Sequence, residues 1–194
     1  MTRPTSRDRP PHGRAVPALL SVGLLLWIGW LLVAIGRLDH QPHPLPARPI
    51  GPMTITIPSI GVKAGIVGIG LRADGAMQVP DPDQVGWYKR GPRPGDPGPA
   101  VLIGHVDSRT DPAVFYRLRE LHPGDEILIR QRGGPTMRFV VQRLERHPKT
   151  ALPTNRIWPM TSKRLLRLIT CDGSFNHTTR HYRDNLIVYA SMVS

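Results

Sequence analysis

The chain contains a single cysteine, Cys171, which closes an apolar run, Leu165-Leu166-Arg167-Leu168-Ile169-Thr170-Cys171. A cysteine attacks as the thiolate, and a reference pKa of about 8.5 leaves little thiolate at neutral pH. An imidazole can take that proton and later give one to a leaving amine. His105 is placed for this, at the end of a second apolar run, Val101-Leu102-Ile103-Gly104-His105-Val106-Asp107-Ser108. An arginine stays charged at any relevant pH and can hold a carbonyl or steady a tetrahedral oxyanion. Arg183 lies twelve residues after the cysteine (183 − 171 = 12), just before a third apolar run, Asn185-Leu186-Ile187-Val188-Tyr189-Ala190. Cysteine, histidine and arginine are a sufficient kit for acyl transfer from an amide. Each alone has a plainer reading: a small buried hydrophobe, a satisfied histidine at a strand end, one surface arginine among many. Their joint placement at the ends of apolar strands favours the chemistry.

These residues need rigid elements beneath them. Proline (22) and glycine (19) are abundant and aromatics are only 6%, which suits short strands joined by turns better than a helical bundle. Met53-Thr54-Ile55-Thr56-Ile57-Pro58 alternates apolar and polar, predicting a strand with one buried face. Further strands are expected within 60–71, 75–80, 85–88, 100–106, 126–130, 137–144, 165–171 and 185–190. Residues 111–121 read as a helix, with Asp111 as N-cap, Pro112 at the first helical position and Val114, Leu118 and Leu121 on one face. Residues 146–163 read as a long, proline-bearing connection. About eight strands with one or two short helices predict a closed or nearly closed β-barrel.

The N-terminal quarter is not globular. Residues 1–15 carry Arg3, Arg7, Arg9 and Arg14 against one acid, Asp8, and form a basic tail. Residues 16–36 are free of charge and meet the roughly 20 apolar residues that a transmembrane helix needs. The positive charge before them predicts a cytoplasmic N-terminus, with the remainder outside. No small-x-small cleavage site follows, so the stretch reads as an uncleaved signal-anchor. Residues 37–52, with prolines at 42, 44, 46, 49 and 52, read as a semi-rigid stalk. His40 and His43 in it lack the third ligand that a metal site needs. Residues 53–194 are the expected extracytoplasmic catalytic domain. One cysteine makes no internal disulfide, and an unpaired thiol in an exported protein calls for a use.

The net charge of +12 comes mostly from arginine, since lysine occurs only at 63, 89, 149 and 163. The charges are dispersed, and no nucleic-acid-binding pattern accompanies them. A solvated basic surface is favoured, attraction to anionic lipid or wall polymer comes next, and nucleic acid is not expected as a partner. There is no phosphate loop, paired metal-ligand set or cofactor motif, so neither metal nor cofactor is expected.

With these residues in place, the sequence resembles the sortases, bacterial cysteine transpeptidases that anchor proteins to the cell wall. Leu168-Ile169-Thr170-Cys171 matches the family's Thr-Leu-x-Thr-Cys pattern from its second position, and the first position departs, being Arg167. Gly104-His105-Val106-Asp107-Ser108 resembles the histidine segment. Trp87-Tyr88, the Pro-Gly-Asp-Pro-Gly turn at 94–98 and the segment before Gly124-Asp125 resemble the actinobacterial classes E and F, more F than E. The resemblance spans about 53–193. It implies an eight-stranded barrel in which Cys171 attacks the threonine carbonyl of an LPXTG-like sorting signal. His105 would be the general acid and base, and Arg183, with Arg180 as the alternative, would position the peptide and steady the oxyanion. The thioacyl enzyme would pass to the amine of a cell-wall precursor. Thr170 would shape the site, and Ile157 and Trp158, in the connection before the cysteine strand, are candidate contacts for the sorting signal. Asp172 stands where such relatives often carry glycine. His177 and His181 read as loop residues. Some sortases use calcium through an acidic cluster, but 143–163 holds only Glu145 as an acid, so calcium is not expected.

Two rivals remain. An L,D-transpeptidase would carry a Ser-x-Gly-Cys motif with a histidine close before the cysteine, unlike Thr170-Cys171 with its distant His105. A membrane-anchored scaffold would bury Cys171 as an inert thiol.

Overall fold

A computed structural model of the chain describes residues 53–193. The expected basic tail (1–15), signal-anchor (16–36) and stalk (37–52) lie outside the described residues. Among the described residues no helix is long and apolar enough to cross a membrane.

Eight strands are formed by the described residues: β1 (Met53–Ile57), β2 (Val62–Ile69), β3 (Val85–Tyr88), β4 (Gly98–Ile103), β5 (Glu126–Gln131), β6 (Thr136–Pro148), β7 (Arg164–Asn176) and β8 (His181–Met192). They close into a barrel in the order β1-β2-β3-β4-β7-β8-β6-β5, with β5 returning to β1. Most neighbours are antiparallel, but β2 pairs with β3 and β4 with β7 in parallel. Parallel pairs need long crossovers. Here β5 and β6 form the crossover between β4 and β7, so the histidine and cysteine segments are adjacent in space although distant in sequence.

Alternation explains the core. Met53, Ile55 and Ile57 of β1 are buried while Thr54 is exposed, as the period of two predicts. Ala100 and Leu102 of β4, Leu166 and Leu168 of β7, and Leu186 and Val188 of β8 fill the barrel with Phe115, Ile127, Ile129 and Phe139. Each fully buried side chain of this size contributes about 1.5–3 kcal/mol. The opposite parity of the same three strands faces outward and builds a second cluster. Val101, Ile187 and Tyr189 pack there with Ile157, and Ile103, Leu152 and Ile169 lie against them.

Three sequence expectations are corrected. Residues 75–80 form no strand; Met77 makes only an isolated bridge to Leu71. Residues 111–121 are not an α-helix but turns followed by a 3-10 turn, Leu118–Glu120. Tertiary bonds take the donors that an α-helix would use: the Val114 N–H goes to the Pro82 carbonyl and the Phe115 N–H to that of His105. The remaining amides close to the third residue back, as Leu118 does to Phe115. The expected 146–163 connection is shorter, because β6 runs to Pro148. A 3-10 turn (Lys149–Ala151) and one helical turn, α1 (Thr154–Ile157), follow it.

Candidate active site

The register of four strands organises the site. On the outer face, Val101 of β4, Arg167 of β7, Tyr189 of β8 and Arg143 of β6 form one row across the sheet. Two residues along, Ile103, Ile169, Ile187 and Glu145 form the next. Two further, Cys171 pairs with Asn185, which pairs on its other side with His147. The β4–β7 ladder ends at Ile103–Ile169, although the Gly104 N–H still donates to the Ile169 carbonyl at 3.2 Å. Continuing that register by two residues brings His105 level with Cys171. The ladder to β4 thus stops just before the cysteine, which opens the third row. Cys171 and His105 are both partly exposed.

The cysteine strand does not end at its thiol. Strand β7 continues to Asn176 and pairs with the early residues of β8, with a bulge between Asp172 and Phe175. Gly173 occupies that bulge at φ +81°, and a Cβ there would fall within hydrogen-bond distance or less of the Asp184 carboxylate. Arg183 therefore lies inside β8 rather than before it, opposite the bulge. It shares the outward parity of Asn185, one step diagonally from Cys171. It is exposed, with no hydrogen-bond or ion-pair partner among the described residues. Arg180 sits in the hairpin turn at φ +55°. His181 opens β8 and is not a loop residue, whereas His177 is in the turn.

Three contacts hold the pieces in place. The Thr170 hydroxyl, on the buried side of β7, donates to the Gly104 carbonyl at 2.9 Å and ties the histidine segment to the cysteine strand. The residue is 4% exposed, so its hydroxyl serves the scaffold rather than a ligand on the outer face. Gly104 itself is required by close packing, since a Cβ would meet Phe115 at 2.7 Å and Val114 at 2.8 Å. The Tyr182 hydroxyl donates to the Asp107 carboxylate, joining the segment after His105 to the strand carrying Arg183. That hydrogen bond, with burial and the carboxylate charge behind it, pushes the phenol up to about 12.

Asp172 points to the other side of β7 from the thiol. It is 3% exposed and pairs with Arg146 at 2.7 Å, with Arg119 at 3.9 Å. It closes the barrel end beneath the site. Arg167, where the resemblance departs, lies 5% exposed under α1 and stacks on Tyr189 at 4.7 Å. It donates to the carbonyls of Leu166, Ala190 and Arg156, the last tying α1 to the sheet. Burial pulls its pKa down to about 10, which leaves it cationic at neutral pH. Ile157 is fully buried and packs α1 onto Val101, Ile187 and Tyr189 of the outer sheet, while Trp158, the next residue, is 37% exposed. Glu145 is met by Arg143 at 2.8 Å, His147 at 2.9 Å and Arg156 at 3.2 Å. Burial opposes its charge, but the hydrogen bonds prevail and hold the carboxyl at about 2.

One contact had no signal in the sequence. The Lys149 ammonium lies 3.4 Å from the Cys171 sulfur. Lysine 22 residues before a cysteine is not a motif, and only the closure of β6 onto β8 brings them together. Asp107, Tyr182 and His147 likewise carry no sequence signal for their contacts, because their partners are set by strand register.

A family model described as a sortase domain matches residues 55–193. No match to a curated protein sequence was found. Solved structures share the fold. A lid mutant of sortase A from Corynebacterium diphtheriae is 22% identical, with a TM-score of 0.60 over 78% of this chain and 74% of its own. Sortase C-1 from Actinomyces oris is 24% identical, with a TM-score of 0.58 over 73% of each chain. A sortase D5 transpeptidase of Clostridium perfringens is 22% identical, with a TM-score of 0.57 over 74% of this chain and 79% of its own.

Proposed function

The chain belongs to the sortase family of cysteine transpeptidases, and from that membership we propose that it cleaves an LPXTG-like sorting signal after threonine and transfers the acyl group to an amine of a cell-wall precursor. The observation that carries this reading is the third row of the outer face. There Cys171 lies just past the end of the β4–β7 ladder, where β4 leads on to His105, one diagonal step from Arg183 and next to a partly exposed apolar surface of Ile103 and Ile169. A sorting peptide laid on that surface, with Trp158 as a further contact, brings its threonine carbonyl to the sulfur.

The Cys171 thiolate attacks the carbonyl, and the C–N bond breaks as His105 gives a proton to the departing glycine amine. Arg183 holds the carbonyl oxygen as it gains charge. An incoming amine then attacks the thioester, His105 takes its proton, and Cys171 leaves as thiolate. Thr170 acts through Gly104, and Ile157 by packing α1, which leads into Trp158, onto the outer sheet. The charge-free stretch 16–36 supports single-pass anchoring with the catalytic domain outside the cytoplasm. A partly exposed Cys171 argues against the inert-thiol scaffold.

The test mixes the full chain in detergent with an LPXTG peptide library and triglycine, read by mass spectrometry. An acyl adduct on Cys171 that disappears in Cys171→Ala, with product cut after threonine, is the expected result. A folded protein with a reactive thiol and no adduct from any such peptide would overturn the assigned substrate.

A further inference from the structure

Resting on the reading of Cys171 as nucleophile, we propose that Lys149 is a second cationic partner of that sulfur and holds it as the thiolate. Lys149 is the first residue after β6, whose last pair is Pro148–Asp184. Asp184 also pairs with Asp172 of β7, so the lysine starts two strands from the cysteine, about 10 Å away. Only a long, flexible side chain crosses that gap, and the ammonium ends 3.4 Å from the sulfur. Its choice of partner is informative, because the ammonium meets the sulfur and not Asp184, which neighbours it in register and has no hydrogen-bond or ion-pair partner among the described residues, while the other acids close by are engaged. Asp172 is held by Arg146 and Arg119, Glu145 by Arg143, His147 and Arg156, and Asp107 by Tyr182. A neutral thiol is a poor acceptor, whereas a thiolate is a full counter-charge for an ammonium. When the thioester forms, the sulfur loses its charge and the exposed lysine is released to solvent without blocking the amine acceptor.

The other titratable and charged groups around the sulfur are His105 and Asp107 beyond β4, Tyr182, Arg183 and Asp184 on β8, Asp172 on β7, Arg146 and His147 on β6, and Arg119. Of these, His105 is the other proposed partner of the sulfur, so the experiment must separate the two.

Cys171 is the only thiol in the chain, so alkylation by iodoacetamide reports on it alone. The rate is measured from pH 5 to 10 on the full chain, for wild type, Lys149→Met and Lys149→Arg, each also in a His105→Ala background. Loss of a cation from contact distance should raise the apparent thiol pKa by about one unit. The thiolate fraction at pH 7 then falls about tenfold while intrinsic nucleophilicity rises about threefold, a net slowing of about threefold. Above the pKa the variant should instead be about threefold faster than wild type. That crossing is the expected result, with Lys149→Arg close to wild type and the shift retained without His105. Superimposed wild-type and Lys149→Met profiles, or one slower at every pH, would overturn the proposal. The nucleophile reading fails differently: wild type would then form no acyl adduct with sorting peptides, whatever the Lys149 profiles show.

Discussion

At the scale of single residues, the candidate nucleophile and the candidate oxyanion donor sit in different surroundings, Cys171 partly exposed beside Lys149 and Arg183 exposed without a partner among the described residues. Cys171 stands out because it is the single thiol of a chain read as exported, and His105 because it ends an apolar run. Arg183 is one of 22 arginines (26 basic residues less four lysines), and only its diagonal relation to Cys171 on β8 distinguishes it. Arg183→Ala should lower turnover of a sorting peptide by about 100-fold or more, the scale seen on removing an oxyanion donor, while the thermal melt hardly moves because the side chain is exposed. Turnover at the wild-type rate would shift the role to Arg180. Thr170→Val should cost about 1–2 kcal/mol in urea unfolding, because it leaves the Gly104 carbonyl without its donor. It should also lower kcat more than it raises KM, since His105 loses its tether. An unchanged kcat would mean that Gly104 is held by packing alone.

At the scale of elements, strands were legible where alternation was strong, as in β1, and illegible where pairing overrides composition. The strand expected over 165–171 stops at Cys171 in the sequence reading, yet β7 runs on through Asp172-Gly173-Ser174-Phe175-Asn176 because β8 pairs along it. The 111–121 segment fails as a helix for the converse reason, its amides being claimed by Pro82 and His105. The tie between elements that matters most for chemistry is Tyr182 to Asp107. Tyr182→Phe should reduce turnover about tenfold, since removing a hydrogen bond to a charged group costs about 1.5–3 kcal/mol, part of which is expressed as misplacement of His105 against Arg183. An undiminished rate would show that the two segments hold without it. On the outer sheet, Glu145 binds β6 to α1 through Arg156. Its folded pKa, about 2, lies below the ordinary 4.5, so its contribution is complete above pH 4.5 and is lost as pH falls through about 2. Glu145→Gln should therefore cost about 1–2 kcal/mol at pH 7, discounted because Arg143 and Arg156 are half exposed. The difference from wild type should vanish near pH 2. A cost that persists there would assign the effect to packing instead.

At the scale of the whole molecule, the closed barrel gives the candidate site its frame, since β4, β7, β8 and β6 carry the site-bearing face outside and the core inside on alternate residues. Leu168 lies between the two outward residues Arg167 and Ile169 and is fully buried. Leu168→Ala should destabilise by about 2–5 kcal/mol, read as a lower urea midpoint at an unchanged slope, with residual activity in whatever fraction stays folded. A cost below 1 kcal/mol would mean that the barrel collapses onto the space. The sequence alone determined the strand-rich class and put forward Cys171 and His105 as the candidate nucleophile and its histidine, because alternation and residue chemistry are local properties that each segment carries by itself. The tertiary structure decided which charge meets which. Register places Asn185 between Cys171 and His147, turns Asp172 inward to Arg146, and lets Lys149 reach the sulfur. Those pairings depend on strands far apart in the chain closing side by side, and no local pattern encodes the register at which they do so.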